Sequence, residues 1–259
     1  MSESDKPEEL KHNYIPPEVD VNDLLPYYSE NRENYNKNFN ELKKQIKLEN
    51  SILSETSKVI LTNIIENNSA AFVQDDGLIG KYKGPINHRI ELIDASRITQ
   101  RRPYRVPMAL RPEIEAQIND MLRQRIIRPS CSGFSSPVVL VRKKDGKWRF
   151  AVDYRDLNSN TRKQVYFLPL IQDILDSIGG KKIFSSFDFQ SGFYQIPMEP
   201  DHIERTAFTT FCGVYEFLRM PMGVSGGPNT FQKIMEKLRK ELSAAFFVYI
   251  DDVVLASLC

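Results

Sequence analysis

Cysteine is scarce in this sequence. Cys131, Cys212 and Cys259 are three in 259 residues, odd in number and without the spacing of a metal site. That excludes a disulfide scaffold and a thiolate metal cluster, and it suits reduced thiols in a cytosolic protein. Long apolar runs are missing too: no stretch reaches the roughly 18 residues that a helical membrane span needs. The opening Met1-Ser2-Glu3-Ser4-Asp5 has neither the basic nor the apolar region of a signal peptide. No internal repeat is visible, and no low-complexity tract beyond the polar N-terminus. The expected location is cytoplasmic, without a membrane partner.

Net charge is nearly absent as well, at +1, but the balance is uneven. Residues 1–60 carry twelve acids and eight bases, whereas residues 97–163 carry sixteen Lys or Arg against six acids. A basic block inside a near-neutral chain points to an anionic partner, nucleic acid phosphate foremost, with a merely solvated face as the alternative. What is present is ordinary for a soluble globular protein: 41% apolar and 27% charged residues, in a chain long enough for one large or two small domains.

Residues 1–38 are rich in Asn, Glu, Pro and Tyr with no sustained period, and read as a linker. Helical spacing appears at Phe39, Leu42, Ile46 and Leu53, and again at Val59, Ile60 and Ile64, ending at Asn67-Asn68. From Gly84 to Pro107 the prolines oppose long helices. Pro112 opens a helix with Ile114, Ile118, Met121 and Leu122 on one face, expected to end near Arg128-Pro129. Ser136–Arg142 and Lys147–Val152 read as a hairpin around Lys143-Lys144-Asp145-Gly146. A short helix is expected from Pro169 to Ile178, with Leu170, Ile174, Leu175 and Ile178 inward and Gly179-Gly180 as its stop. Strands follow at Ile183–Phe189, Thr206–Thr210 and Tyr215–Met220. The glycine-rich turn Pro221–Gly227 then enters a helix with Phe231, Ile234, Met235, Leu238 and Leu242 on one face and Lys233, Lys237 and Lys240 on the polar side. The division expected is a linker and helical segment over 1–83 and a main domain over 84–259.

Two stretches carry chemistry. In Phe246–Ala256, two apolar runs flank Asp251 and Asp252, as in a strand, a tight turn and a second strand, although the turn lacks the usual Gly or Asn. Crowding two like charges into such a turn costs stability, and such costs gather at functional sites. Taken alone, a solvated acidic turn explains the pair equally well. Asp188, closing a strand of its own, adds a third carboxylate. Three carboxylates at the ends of neighbouring strands are what two-metal phosphoryl transfer requires, with ions about 3.5–4 Å apart activating the attacking oxygen and stabilising the leaving one.

These residues carry a resemblance. Tyr249-Ile250-Asp251-Asp252 matches the Tyr-x-Asp-Asp motif of reverse transcriptases, and Asp188 with Ser191-Gly192-Phe193-Tyr194-Gln195-Ile196 resembles the first palm motif of Gypsy/Ty3-type LTR retrotransposon polymerases. Arg101-Arg102-Pro103-Tyr104-Arg105-Val106-Pro107 resembles the lead-in joining protease and polymerase in those elements. The likeness runs from Ile90 to Leu258. It implies an α+β fold: right-hand polymerase fingers and palm, with an antiparallel palm sheet backed by helices and the thumb absent, the chain stopping just after its acidic motif. It implies an RNA-directed DNA polymerase module of a retrotransposon polyprotein, incomplete as given, working with two Mg²⁺ or Mn²⁺ ions held by Asp188, Asp251 and Asp252. Lys143 and Arg149 of the fingers hairpin would grip the nucleotide triphosphate, with Phe189, Phe193, Met222 and Gly223 completing the nucleotide site and Phe193 acting as a steric gate against ribose. Asp153-Tyr154-Arg155-Asp156-Leu157-Asn158 also fits the family pattern and reads as mainly structural, with Arg155 and Asp156 as candidates for positioning template. Met222 stands where retroviral relatives often have Gln, and Gly227 where the Gypsy pattern has Ala. The implied partners are an RNA or DNA template with primer, deoxynucleoside triphosphates, and downstream thumb, ribonuclease H and integrase domains, in the cytoplasm or within retroelement particles. The alternative is a catalytically silent remnant that binds nucleic acid or a partner. A metal-dependent nuclease fits less well, having no use for the finger hairpin or Phe193.

Overall fold

The computed structural model describes residues 51, 53–68, 71–72, 77–144, 146–164, 171–241, 246–249 and 252–257. The chain divides into two compact units, residues 1–70 and 71–259. In the first, Ser54 caps helix α1 (Glu55–Asn67) by accepting from the Ser57 N–H at 3.2 Å, which satisfies a donor the first turn leaves free. Asn68 closes the other end, its Nδ2 donating to the Ile64 carbonyl at 2.8 Å. Val59, Ile60 and Ile64 fall within α1 as their spacing predicts, yet all three stay exposed. Of the helical spacing from Phe39 to Leu53, Phe39, Leu42 and Ile46 lie outside the described residues, and Leu53 stands in a bend before α1.

In the second unit, residues 77–107 run without helix or strand, tied in by isolated bridges from His88 to Met198, Leu92 to Thr161 and Gln100 to Ser135. A single 3-10 turn, Met108–Leu110, leads into α2 (Arg111–Arg123), where Pro112 occupies the first turn and forfeits no hydrogen bond. Ile114, Ile118 and Met121 form its buried stripe. The helix ends five residues before Arg128, earlier than its apolar spacing suggests, because Arg125 adopts a left-handed φ of 52°. Ile126 and Ile127 then turn into the core, and Ile127–Pro129 forms strand β1 instead.

Next come β2 (Ser136–Arg142), β3 (Trp148–Val152), α3 (Arg155–Ser159), α4 (Ile171–Ile178), β4 (Ile183–Asp188), β5 (Phe208–Thr210), β6 (Gly213–Phe217), α5 (Gly227–Glu241), β7 (Phe246–Tyr249) and β8 (Asp252–Ser257). The β2–β3 hairpin pairs Val138 with Val152 and Arg142 with Trp148, and Gly146 takes the φ of 84° that its turn needs. β3 is an edge strand, and α2 covers that edge. Gln117 donates to the Trp148 carbonyl at 3.1 Å and accepts from the Phe150 N–H at 3.2 Å. On α4, Leu175 is exposed rather than inward, while Ile174 and Ile178 are half-buried; Pro169 and Leu170 lie outside the described residues. β5 and β6 are shorter than their apolar runs. Thr206 belongs to the 3-10 turn Pro200–Thr206, and its hydroxyl, at 2.8 Å from the Phe217 N–H, takes the place of a ladder bond.

Two sheets result. One has the order β1-β6-β5-β2-β3, antiparallel except where β2 meets β5; the other is β4-β8-β7, antiparallel throughout. α5 packs against β7, with Phe231, Ile234 and Met235 buried and Lys233, Lys237 and Lys240 exposed, while Leu242 lies outside the described residues. The core of the larger sheet is an aromatic cluster: Phe208 lies 5.1 Å from Phe217, 5.5 Å from Phe150 and 5.8 Å from Tyr215 between ring centroids. Each such pair adds about 0.5–1.5 kcal/mol beyond the area it buries.

Candidate active site

β4 delivers Asp188, exposed, to the end of its strand. The antiparallel register of β4 with β8 runs from Ile183 opposite Ser257 to Asp188 opposite Asp252, and β7 closes the hairpin with Tyr249 opposite Asp252. Two of the three expected carboxylates are thus neighbours in one ladder. Like charges placed directly opposite destabilise a ladder, so this pair calls for a counter-charge. Asp251 and the side chain of Asp252 lie outside what is described, and among the described residues no group of three potential metal ligands gathers.

Immediately after Asp188 the chain turns sharply. Ser191 sits at φ 49°, ψ 46°, the left-handed region that a non-glycine residue seldom enters, and a 3-10 turn spans Gly192–Gln195. Gly192 is required by contact: a Cβ there would lie 2.8 Å from the Phe231 ring and 3.0 Å from Phe189 Cβ. Phe189 and Phe193 both pack on Phe231, at 5.6 and 5.7 Å between centroids. The buried ring of Phe231 on α5 therefore sets the position of both aromatics expected at the nucleotide site.

The glycine-rich turn meets this cluster from the other side. A Cβ on Gly227 would touch Phe193, Met220 and Val224 at 3.7–3.8 Å, ordinary contact that leaves room for the Ala of the Gypsy pattern. Gly223 and Gly226 adopt φ of 91° and 79°, which explains glycine at both. Met222 is exposed beside them. Beneath the turn, buried His88 pairs its Nδ1 with Thr230 Oγ1 at 2.9 Å, and its Cε1 lies 3.8 Å from where a Gly226 Cβ would stand. Burial, with the nearby His202 adding to it, pulls the His88 pKa down to about 4.

Lys143 and Arg149 are exposed on the fingers hairpin, Lys143 just past the end of β2 and Arg149 opposite Val141. Burial pushes the Tyr194 hydroxyl up to about 12, and the Arg149 charge partly opposes that rise, which relates the hairpin to the segment after Asp188. Arg155 and Asp156 engage other side chains of the unit. Arg155 grips Asp153 through two bonds of 2.8 and 2.6 Å and holds its carboxyl well below the usual carboxylate range; burial opposes this and the Tyr104 hydroxyl, 2.9 Å away, assists. Asp156 pairs with Arg97 at 2.7 Å and more loosely with Arg101. Arg101, Tyr104, Asp153, Arg155, Asp156 and Ser159 line a surface cleft of about 380 Å³.

Two contributors were not singled out from sequence. Arg219 donates to the carbonyls of Ile79, Gly80, Tyr194 and Gln124, fastening residues 79–80 to the segment after Asp188. A lone Arg in the apolar run Phe217-Leu218-Arg219-Met220 is the signal that could have marked it. Asn158 reaches across to the glycine-rich turn; it closes the Asp153–Asn158 motif that fits the family pattern, but nothing in the residue letters names that partner.

In class the fold is α+β, with the fingers and palm of a right-hand polymerase. A solved foamy viral protease–reverse transcriptase, in complex with dsDNA, superposes on 84% of this chain with a TM-score of 0.75 and 26% identity, over 45% of its own length. In sequence, residues 141–258 match the family described as "Reverse transcriptase (RNA-dependent DNA polymerase)". The chain is 40% identical over 162 residues to the "Retrovirus-related Pol polyprotein from transposon opus" of Drosophila melanogaster, covering 60% of this chain and 16% of that protein. It is 36% identical over 172 residues to the "Enzymatic polyprotein" of Cauliflower mosaic virus (strain Strasbourg), covering 65% and 25% respectively. The chain is thus similar in sequence to the reverse transcriptases of retrotransposon polyproteins and in fold to a foamy viral one, over a segment that spans a quarter or less of the polyproteins. No helix among the described residues is long and apolar enough to cross a membrane.

Proposed function

We propose that this chain carries the nucleotidyl-transfer module of an RNA-directed DNA polymerase, acting on a primer–template with deoxynucleoside triphosphates. The observation that carries the reading is the β4–β8 register, which sets Asp188 opposite Asp252 with Asp251 one residue before it. The donor set fits hard divalent cations: carboxylate oxygens are what Mg²⁺ or Mn²⁺ prefers, and a cation removes the repulsion between facing acids. Asp188, Asp251 and Asp252 would hold two such ions. Bound there, the ions supply Lewis-acid stabilisation to the attacking and leaving oxygens of an in-line displacement.

The chain's own residues bind and orient. Arg149 offers a planar fork and Lys143 a point charge to the triphosphate. Phe193, braced by Phe231, lies beneath the sugar and excludes a 2′-hydroxyl. Phe189 supports it through the same ring, while Met222 and Gly223 face base and sugar. The other exposed basic residues between 97 and 163 hold template phosphates, and binding weakens steeply with salt.

Primer extension with Mg²⁺ supplied or omitted tests this reading, alongside Asp188→Asn. Extension is expected to require the metal and to be lost in the variant, with the melting temperature kept. Retention of more than about a tenth of wild-type turnover, a change under ~1.4 kcal/mol in the barrier, would refute the site. A wild-type chain that binds primer–template but never extends it would favour the silent, nucleic-acid-binding reading.

A further inference from the structure

Two backbone groups of the glycine-rich turn are already taken. The Asn158 side chain donates from Nδ2 to the Gly223 carbonyl at 2.8 Å and accepts at Oδ1 from the Ser225 N–H at 2.7 Å. One carboxamide thus bridges residues 223 and 225 across Val224, whose side chain is buried. Such bridging suits a turn with positive φ at Gly223 and Gly226, whose backbone groups fall outside the described strands. Asn158 itself has little freedom. It belongs to α3, where the neighbouring Leu157 is buried in the core. Two residues on, Asn160 bonds the Asp94 N–H and the carbonyls of Asp94 and Arg97. On the outer side of α3, Asp156 is paired with Arg97.

We propose that Asn158 is a positioning residue for nucleotide binding, transmitting the rigidity of α3 to the turn that presents Met222 and Gly223. This rests on the polymerase reading and on Met222 and Gly223 facing the nucleotide. With the Gly223 carbonyl and Ser225 N–H occupied, the turn offers substrate its exposed Met222 side chain and the bare Gly223 Cα. Releasing the clamp lets a glycine-hinged turn sample other shapes, and nucleotide affinity falls by the fraction of time it spends in them. Duplex binding is spread over many phosphate contacts and changes little.

The carboxamide is needed at both ends, so the choice of variant is informative. Asn158→Ala removes both bonds. Asn158→Asp keeps an acceptor for Ser225 but turns a carboxylate towards the Gly223 carbonyl, and it regains the donor only when protonated. The experiment measures KM for deoxynucleotide, Kd for primer–template and thermal stability in the full 259-residue chain and both variants, and amide exchange of the 221–227 segment. Asn158→Ala is expected to raise KM roughly tenfold, from two lost hydrogen bonds, with Kd for primer–template unchanged within about twofold. Exchange in the turn should quicken. The Asn158→Asp defect should shrink relative to Asn158→Ala as pH falls. An unchanged KM in an active Asn158→Ala variant overturns the proposal, as does a loss seen only as lower thermal stability or fewer active molecules. A wild-type chain that neither binds nor incorporates deoxynucleotide overturns the polymerase reading first and this one with it.

Discussion

Acid should destabilise this fold through His88, and the size of the effect follows from its surroundings. The ring is 1% exposed, bonded at Nδ1 to Thr230 and unpartnered at Nε2 among the described residues. Burial and the neighbouring His202 lower its pKa from 6.5 to about 4. The folded state therefore prefers the neutral ring, and the unfolded chain takes up the proton first. Stability is fully present above pH 6.5 and is lost as pH falls towards 4. The gap corresponds to roughly 2 kcal/mol at pH 5 and about 3 kcal/mol at pH 4. His202, also lowered by burial and by the Arg205 charge, adds a slope of the same sign. The lowered carboxyls of Asp94 and Asp153 act in the same direction, but only at more acidic pH. Urea denaturation at intervals from pH 7.5 to 4.5 measures the slope, and His88→Asn isolates it, since the amide can face Thr230 but cannot titrate. The variant is expected to be less stable at pH 7.5 and to lose markedly less than the wild type on acidification. Parallel stability curves for the two proteins would refute the assignment of the slope to His88.

Two glycines four or more residues from Asp188 should respond oppositely to alanine. Gly192→Ala forces a Cβ to within 2.8 Å of the Phe231 ring and should cost about 1–3 kcal/mol in urea denaturation. Gly227→Ala meets only ordinary contacts and should leave stability unchanged or raise it by up to ~1 kcal/mol. Equal losses at both positions would contradict the packing described. Arg149→Ala should raise KM for deoxynucleotide roughly ten- to a hundredfold while sparing primer–template affinity; equal loss of both would move Arg149 to the template track. Phe193→Ala should lower the ratio of kcat/KM for deoxy- over ribonucleotides about tenfold or more, and an unchanged ratio would remove Phe193 from sugar selection.

Local signals were legible and long-range ones were not. The β2–β3 hairpin and the helix α5 stand where alternation, turn glycine and 3.6-residue spacing put them, because each is decided by neighbours in sequence. The end of α2 was misread since Ile126 and Ile127 keep the apolar rhythm, and a left-handed Arg125 leaves no mark in the residue letters. β1 was missed for the same reason: three residues, one of them proline, become a strand only beside β6. Asp188 and the acidic pair could each be picked out as unusual, but their meeting depends on a register between distant strands. Asn158 looks like any helix-end asparagine until the turn some sixty-five residues downstream closes onto it.

That register also sets a clock. Asp188 and Asp252 lie opposite one another in space but sixty-four residues apart in sequence. The β4–β8 ladder therefore closes late, after the hairpins and helices whose contacts are short-range. On a ribosome adding about 5–20 residues per second, several seconds separate the appearance of the first carboxylate from that of its partner. Throughout that interval β4 has no β8 to pair with, and Phe184 and Phe187, exposed even in the finished fold, stand on an open strand edge. The same pairing that brings the acids together thus leaves β4 open to strand exchange or chaperone capture during synthesis.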